Sequence, residues 1–176
     1  ARPDHTRDRL VAHEIAHQWY GDMLTTRNWA NAWLNEGFAT FLTYAWGEYD
    51  HGRDAAEYSR RRMLSSVRRA DESERRPMVQ YYYDSDMDLF DANIYAKGAL
   101  VLNMLQQMLG YDAFWRTIRH YTRTYQFKNV ESQDLKRVFE DLTGQNLEWF
   151  FDQWVYTGGL PELEIKYKYN RRNKHV

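Results

Sequence analysis

Cysteine is absent from this 176-residue chain, which excludes a disulfide framework and any thiolate metal site. The compartment stays open, because a secreted protein of this size need not contain disulfides. An excess of one charge is lacking too: 24 Lys and Arg stand against 25 Asp and Glu, a formal charge of -1. That balance argues against a nucleic-acid partner, or an anionic membrane surface, recognised through global charge. No apolar run approaches the roughly 20 residues of a membrane-spanning helix, so no membrane segment is expected in this chain, and its first residues do not read as a signal peptide. Ala1 is not an initiator Met, so a processed or engineered boundary is expected there. Against these absences, 43% hydrophobic and 16% aromatic residues support a folded globule, and the length suits one domain with a real core.

The run His13-Glu14-Ile15-Ala16-His17 carries the chemistry. On a helix His13 and His17 stand one turn apart on the same face, so two imidazoles can converge on one cation while Glu14 projects beside them. Glu36, in Trp33-Leu34-Asn35-Glu36-Gly37, would be the third ligand. A chance H-E-x-x-H in a chain of this composition has a probability on the order of one in a hundred. The competing explanation is an ordinary amphipathic helix with one buried and one solvated histidine. It is the weaker one, since His-Glu-His on adjacent turns is costly to bury without a metal or hydrogen-bond partners. Zn2+ held by two His and one Glu keeps an open coordination position, as hydrolytic zinc sites do, and lowers the pKa of a water there towards about 7. Glu14, not a ligand in this pattern, would act as general base and return the proton to a leaving amine. Amide hydrolysis is the expected reaction, and its oxyanion calls for a second electrophile.

Periodicity places these residues on a mainly α framework. A helix is expected from near Thr6 to Gly21, carrying Leu10, Val11, Ile15 and Trp19, with the histidine pair mid-helix. Residues 24–31 read as a connection, and a second helix from Trp33 to Tyr49 folds Glu36 back onto the histidines as a helix-loop-helix hairpin. A charged third helix runs to near Glu72, and 73–93 read as an irregular, acidic loop. Apolar helices are expected over Ile94–Leu109, Tyr111–Tyr125, Gln133–Leu142 with Ser132 as N-cap and Gly144 as stop, and Leu147–Tyr156. From Pro161 to Tyr169 the period changes to alternation, which reads as an orphan β-strand with few strand candidates upstream, expected to pair at an edge, to pair with a neighbouring molecule, or to be poorly ordered. The Asp84, Asp86, Asp88 series lacks the glycine and terminal glutamate of a calcium loop, and reads as a solvated loop. Thr40 and Asn35 are candidates to support Glu36, while His5, His51, His120 and His175 have no partner at ligand spacing.

The H-E-x-x-H run, Glu36 in Trp-Leu-Asn-Glu-Gly-Phe-Ala, and Ile94-Tyr95-Ala96-Lys97-Gly98-Ala99 together resemble the gluzincin aminopeptidase family, the aminopeptidase N group. The resemblance continues through Leu109-Gly110, residues 127–135 and residues 154–163. It implies a thermolysin-like zinc-peptidase helical subdomain, a peptide substrate, metal ligands His13, His17 and Glu36, and catalytic residues Glu14 and Tyr95, the latter as oxyanion stabiliser. Composition alone does not choose Tyr95 among fourteen tyrosines.

Family members also carry a Gly-x-Met-Glu-Asn motif upstream of the zinc helix, whose glutamate helps bind the substrate amino terminus. It is not among the twelve residues before His13. The expected organisation is therefore residues 1–159 as the helical catalytic subdomain and 160–176 as the truncated first strand of a following domain, with N-terminal and C-terminal domains of a parent chain as partners. Little activity is expected of the piece alone. Two alternatives stay open: a non-catalytic zinc-binding or peptide-capture module, and an epoxide hydrolase-like relative.

Overall fold

A computed structural model describes residues 7–167. The described residues form seven α-helices: α1 (Asp8–Ala16), α2 (Trp33–His51), α3 (Arg53–Ser73), α4 (Gly98–Leu109), α5 (Tyr111–Tyr125), α6 (Ser132–Thr143) and α7 (Glu148–Phe151). Two three-residue strands, β1 (Leu24–Thr26) and β2 (Lys128–Val130), pair in parallel and tie the turn after α1 to the turn before α6. None of the described helices is long and apolar enough to cross a membrane.

The long helix α2 is the centre of the molecule. Trp33, Leu34, Phe38 and Phe41 are buried along it, Phe38 stacks on Tyr20 at 4.1 Å, and Phe41 meets Phe114 of α5 edge to face at 5.4 Å. Helix α4 packs on α2 through Val101, Leu102 and Leu105, all fully buried. At this crossing Gly37 faces Gly98 so closely that a Cβ built on either would lie 2.9 Å from the Cα of the other. Only a residue without a side chain permits that approach, and it brings the start of α4 against the start of α2.

Several elements differ from the expectation. The first helix ends at Ala16, not Gly21, because Gly21 adopts φ 146° and the chain turns back through Asp22 N–H to His17 O (3.0 Å) and Leu24 N–H to Trp19 O (2.9 Å). His17 is thus at the helix boundary, although its backbone stays helical at φ -61°, ψ -22°. The apolar stripe Val11, Ile15, Trp19 is about half exposed, at 53%, 54% and 45%. Ser132 is not the cap of α6: Glu131 and Asp134 form the capping box, while Ser132 is buried, accepting from Trp33 Nε1 (2.8 Å) and donating to Asn31 Oδ1 (2.6 Å). Gly144 closes α6 in the left-handed region as expected. Residues 161–167 form no strand; Leu163, Ile165 and Tyr167 are exposed, as alternation without a sheet partner leaves them. The rest of that segment, together with Thr6, His5 and His175, lies outside the described residues.

The helix expected from Ile94 is two pieces. Asn93–Lys97 form a π-helical turn that runs into α4, and a second π turn, Asp152–Tyr156, follows α7. A π turn carries one residue more than an α turn over the same hydrogen-bonded closure, and such turns occur often at functional sites. Tyr95 stands in the middle of the first.

Candidate metal centre

His13, on α1, and His17, the residue that caps it, lie beside the first turn of α2, which carries Glu36. His13 Nε2 lies 3.2 Å from Glu36 Oε2, His17 Nε2 lies 3.3 Å from the same oxygen, and the two Nε2 atoms are 3.2 Å apart. The imidazoles meet at right angles, with centroids 4.7 Å apart. All three side chains are half-buried, with 15 to 21% of their surface exposed.

These separations test whether the residues fit an ion. Two donors on a tetrahedral ion with bonds of about 2.0–2.1 Å stand about 3.3 Å apart. The three edges of the triangle match that value, and two neutral imidazoles with one carboxylate are a donor set that zinc takes. His17 Nδ1 faces the Tyr20 carbonyl at 3.0 Å, so the ring donates there and keeps Nε2 for the triangle. That link depends on the turn following α1.

The triad is strongly coupled to protons. The hydrogen bond to Glu36, opposed by burial, holds His17 up at about 9. Burial acts to raise the Glu36 carboxyl, but its bonds to both histidines win and lower it to about 2. Glu14 is exposed on the neighbouring face of α1, and its charge reaches both His17 and Tyr95. Tyr95 stacks beside His13 with centroids 6.1 Å apart and planes at 24°. Burial first, then the charges of Glu36 and Glu14, push its phenol up to about 12, so it is a protonated hydrogen-bond donor at neutral pH.

The structure brings His13, His17 and Glu36 into one cluster with Tyr95 stacked beside His13, while Glu14 stays on the exposed neighbouring face of the helix. It does not join the secondary candidates to them: Thr40 is half-buried and makes no hydrogen bond to Glu36 among the described contacts, and Asn35 Oδ1 is buried without a partner. His51 sits beside Asp50 at 3.4 Å, away from the triad. Lys97, next in the Tyr95 turn, is buried with its ammonium 3.5 Å from the Thr157 carbonyl; burial lowers its pKa. Sequence reading overlooked the Gly37 and Gly98 contact. The signal was present, since an isolated glycine in an apolar helical run often marks a close packing.

Residues 3–154 match the Peptidase family M1 domain. The chain belongs to peptidase family M1. Among its M1 relatives, Aminopeptidase M1-C of Oryza sativa subsp. japonica is 32% identical over 168 residues, covering 90% of this chain and 18% of the relative. Tricorn protease-interacting factor F2 of Thermoplasma acidophilum is 32% identical over 159 residues, covering 88% and 20%. The chain thus spans about a fifth of the length of these curated relatives. An M1 zinc metallopeptidase of Deinococcus radiodurans, solved as a mutant bound to a Tyr-Ser-Ala substrate, superposes with a TM-score of 0.75 at 31% identity, over 90% of this chain and 35% of that one. Yeast LTA4 hydrolase in complex with bestatin gives 0.81 at 25% identity, over 92% and 28%. The mainly helical fold expected from periodicity is that of the M1 helical domain.

Proposed function

We propose that the chain supplies the metal-binding helical part of a zinc-dependent aminopeptidase that hydrolyses peptide bonds. The observation that carries this reading is the triangle of His13 Nε2, His17 Nε2 and Glu36 Oε2, with edges of 3.2 to 3.3 Å, bordered by a protonated Tyr95. His13, His17 and Glu36 would hold the zinc, which when bound supplies Lewis acidity to the scissile carbonyl and to water. Glu14 accepts the proton of the attacking water and delivers it to the departing amine. Tyr95 donates a hydrogen bond to the oxygen that gains charge as the carbonyl is attacked, and its raised pKa keeps that proton in place. His17 is oriented by the Tyr20 carbonyl, so its ring need not reorganise during turnover.

We further propose a division in which residues 1–159 form the helical part of the catalytic domain and 160–176 belong to a following one, whose strands would pair with the alternating tail; relatives several times longer than this chain have room for such a domain. The substrate is a peptide, in keeping with the tripeptide bound by the Deinococcus relative. The test is hydrolysis of aminoacyl amides by the full-length protein, with zinc and after chelation, against Glu14→Gln. Activity in Glu14→Gln equal to that of the parent rejects the mechanism. A second reading, epoxide opening, draws on the TM-score of 0.81 with yeast LTA4 hydrolase. An epoxide and aminoacyl amide panel separates the two, and retained zinc without turnover of either would leave a binding module.

A further inference from the structure

The π turn that carries Tyr95 follows an irregular segment and is tied at its beginning by an ion pair between buried Arg76 and half-buried Asp91. Arg76 is 5% exposed. Its guanidinium donates from Nη2 to Asp91 Oδ1 (2.7 Å) and to the Leu89 carbonyl (3.0 Å), and from Nη1 to the Pro77 carbonyl (3.1 Å). The same Asp91 Oδ1 accepts the backbone N–H of Asn93 at 2.7 Å, while Asp91 Oδ2 accepts from Asn93 Nδ2 at 2.9 Å. One turn on, the Tyr95 N–H donates to the Asp91 carbonyl at 3.3 Å. Arg76 itself is locked from behind: Gly158 packs against its backbone so tightly that a Cβ there would lie 2.8 Å from the Arg76 carbonyl carbon.

We infer that Arg76, acting through Asp91 and Asn93, is a positioning residue for Tyr95. A π turn has poorer intrinsic stability than an α turn, and here its first backbone donor, the Asn93 N–H, is met by the Asp91 side chain, which would otherwise be free to rotate. Arg76 fixes that carboxylate with a short, charge-assisted bond and simultaneously holds the Leu89 carbonyl two residues before it. The segment 89–93 is thereby a rigid mount. At the other end of the turn, Gly98 seats on Gly37, beside Glu36. Held at both ends, the Tyr95 ring keeps its stack beside His13. Releasing the Arg76 end lets the turn relax towards an α register, which rotates Tyr95 on the helix relative to the triad.

This inference rests on the role given to Tyr95 above, and the experiment separates the two. Full-length parent, Arg76→Met, Arg76→Lys and Asp91→Asn are each measured with Tyr95 and with Tyr95→Phe, recording kcat and KM for an aminoacyl amide, bound zinc and thermal unfolding. The expected result is a fall in kcat of about 10- to 100-fold for Arg76→Met with KM little changed and zinc retained, since misplacement by about 1 Å carries a penalty of that order. Arg76→Lys, which keeps the charge but not the fork, falls between. In the Tyr95→Phe background the same changes alter kcat by less than about threefold, because the group they position is gone. Equal losses in both backgrounds overturn the inference and leave Arg76 a loop-folding residue. Full activity in Tyr95→Phe overturns the role of Tyr95, and this inference with it. If Arg76→Met fails to fold, Asp91→Asn gives the same comparison, since Asp91 is a third exposed and its amide variant keeps an acceptor for Asn93.

Discussion

Two glycines on adjoining helices should respond to the same substitution with opposite signs. An alanine at Gly98 would place its Cβ 2.9 Å from the Gly37 Cα, and both partners are backbone, so no side chain can swing aside. Ordinary contact begins at 3.4 Å, so α2 and α4 must separate by about 0.5 Å or tilt. Overpacking of this kind costs about 1–3 kcal/mol. For a chain of this size that is a fall in melting temperature of about 2 to 12 °C. Gly47, in the same α2 helix as Gly37, has nothing within 4 Å of the corresponding position. There alanine adds only helix propensity, a gain of about 0.5–1 kcal/mol and a rise of about 1 to 4 °C. Differential scanning calorimetry of zinc-loaded protein measures both. The Gly98 substitution should also lower kcat more than it raises KM, because Tyr95 and Glu36 sit beside the displaced contact. A Gly98→Ala protein as stable as Gly47→Ala would refute the claim that this contact sets the spacing of the two helices.

Glu14→Gln should lower kcat by about 10²- to 10⁴-fold while bound zinc, measured by atomic absorption, is unchanged. Tyr95→Phe removes one donor to the oxyanion and should lower kcat by about 10²- to 10³-fold in steady-state assays. In metal-depleted protein the raised His17 contributes stability that is complete below about pH 6.5 and lost as pH rises through about 9. The depressed Glu36 contributes stability present above about pH 4.5 and lost as pH falls towards about 2. Urea midpoints of that protein should therefore be highest between about pH 4.5 and 6.5, and Glu36→Gln should flatten the profile. Zinc uptake near pH 7.5 should release about one proton, seen by calorimetry in buffers of different ionisation enthalpy, because His17 must deprotonate to bind. Ser132→Ala strands Trp33 Nε1 in the core and should cost about 1–3 kcal/mol in chemical denaturation.

The metal triad was legible in sequence for a local reason. His13 and His17 obey a single helical period, and Glu36 follows within one hairpin, so no distant contact is needed to foresee their convergence. The same logic located α2 to α6 to within a few residues. It failed where a residue had a stronger distant partner. Ser132 looked like a cap, yet the buried Trp33 indole and Asn31 amide, about a hundred positions away, claim its hydroxyl. The pair β1 and β2 was missed because three-residue strands carry no readable alternation and exist only through each other. Val11, Ile15 and Trp19 have the period of a buried stripe, but periodicity does not say whether anything covers it.

What the sequence determined by itself is the chemistry: which atoms can ligate a cation, which carboxylate stands beside them, and that the framework is helical. Tertiary structure decided the distances that make those atoms a site. Tyr95 is one of fourteen tyrosines until a π turn, tied to Arg76 through Asp91 and seated on Gly37 through Gly98, lays its ring beside His13. A ligand set repeats with the helix and so is written in one segment. Placement of an outlying phenol depends on how closely two backbones approach, and only the packed molecule fixes that.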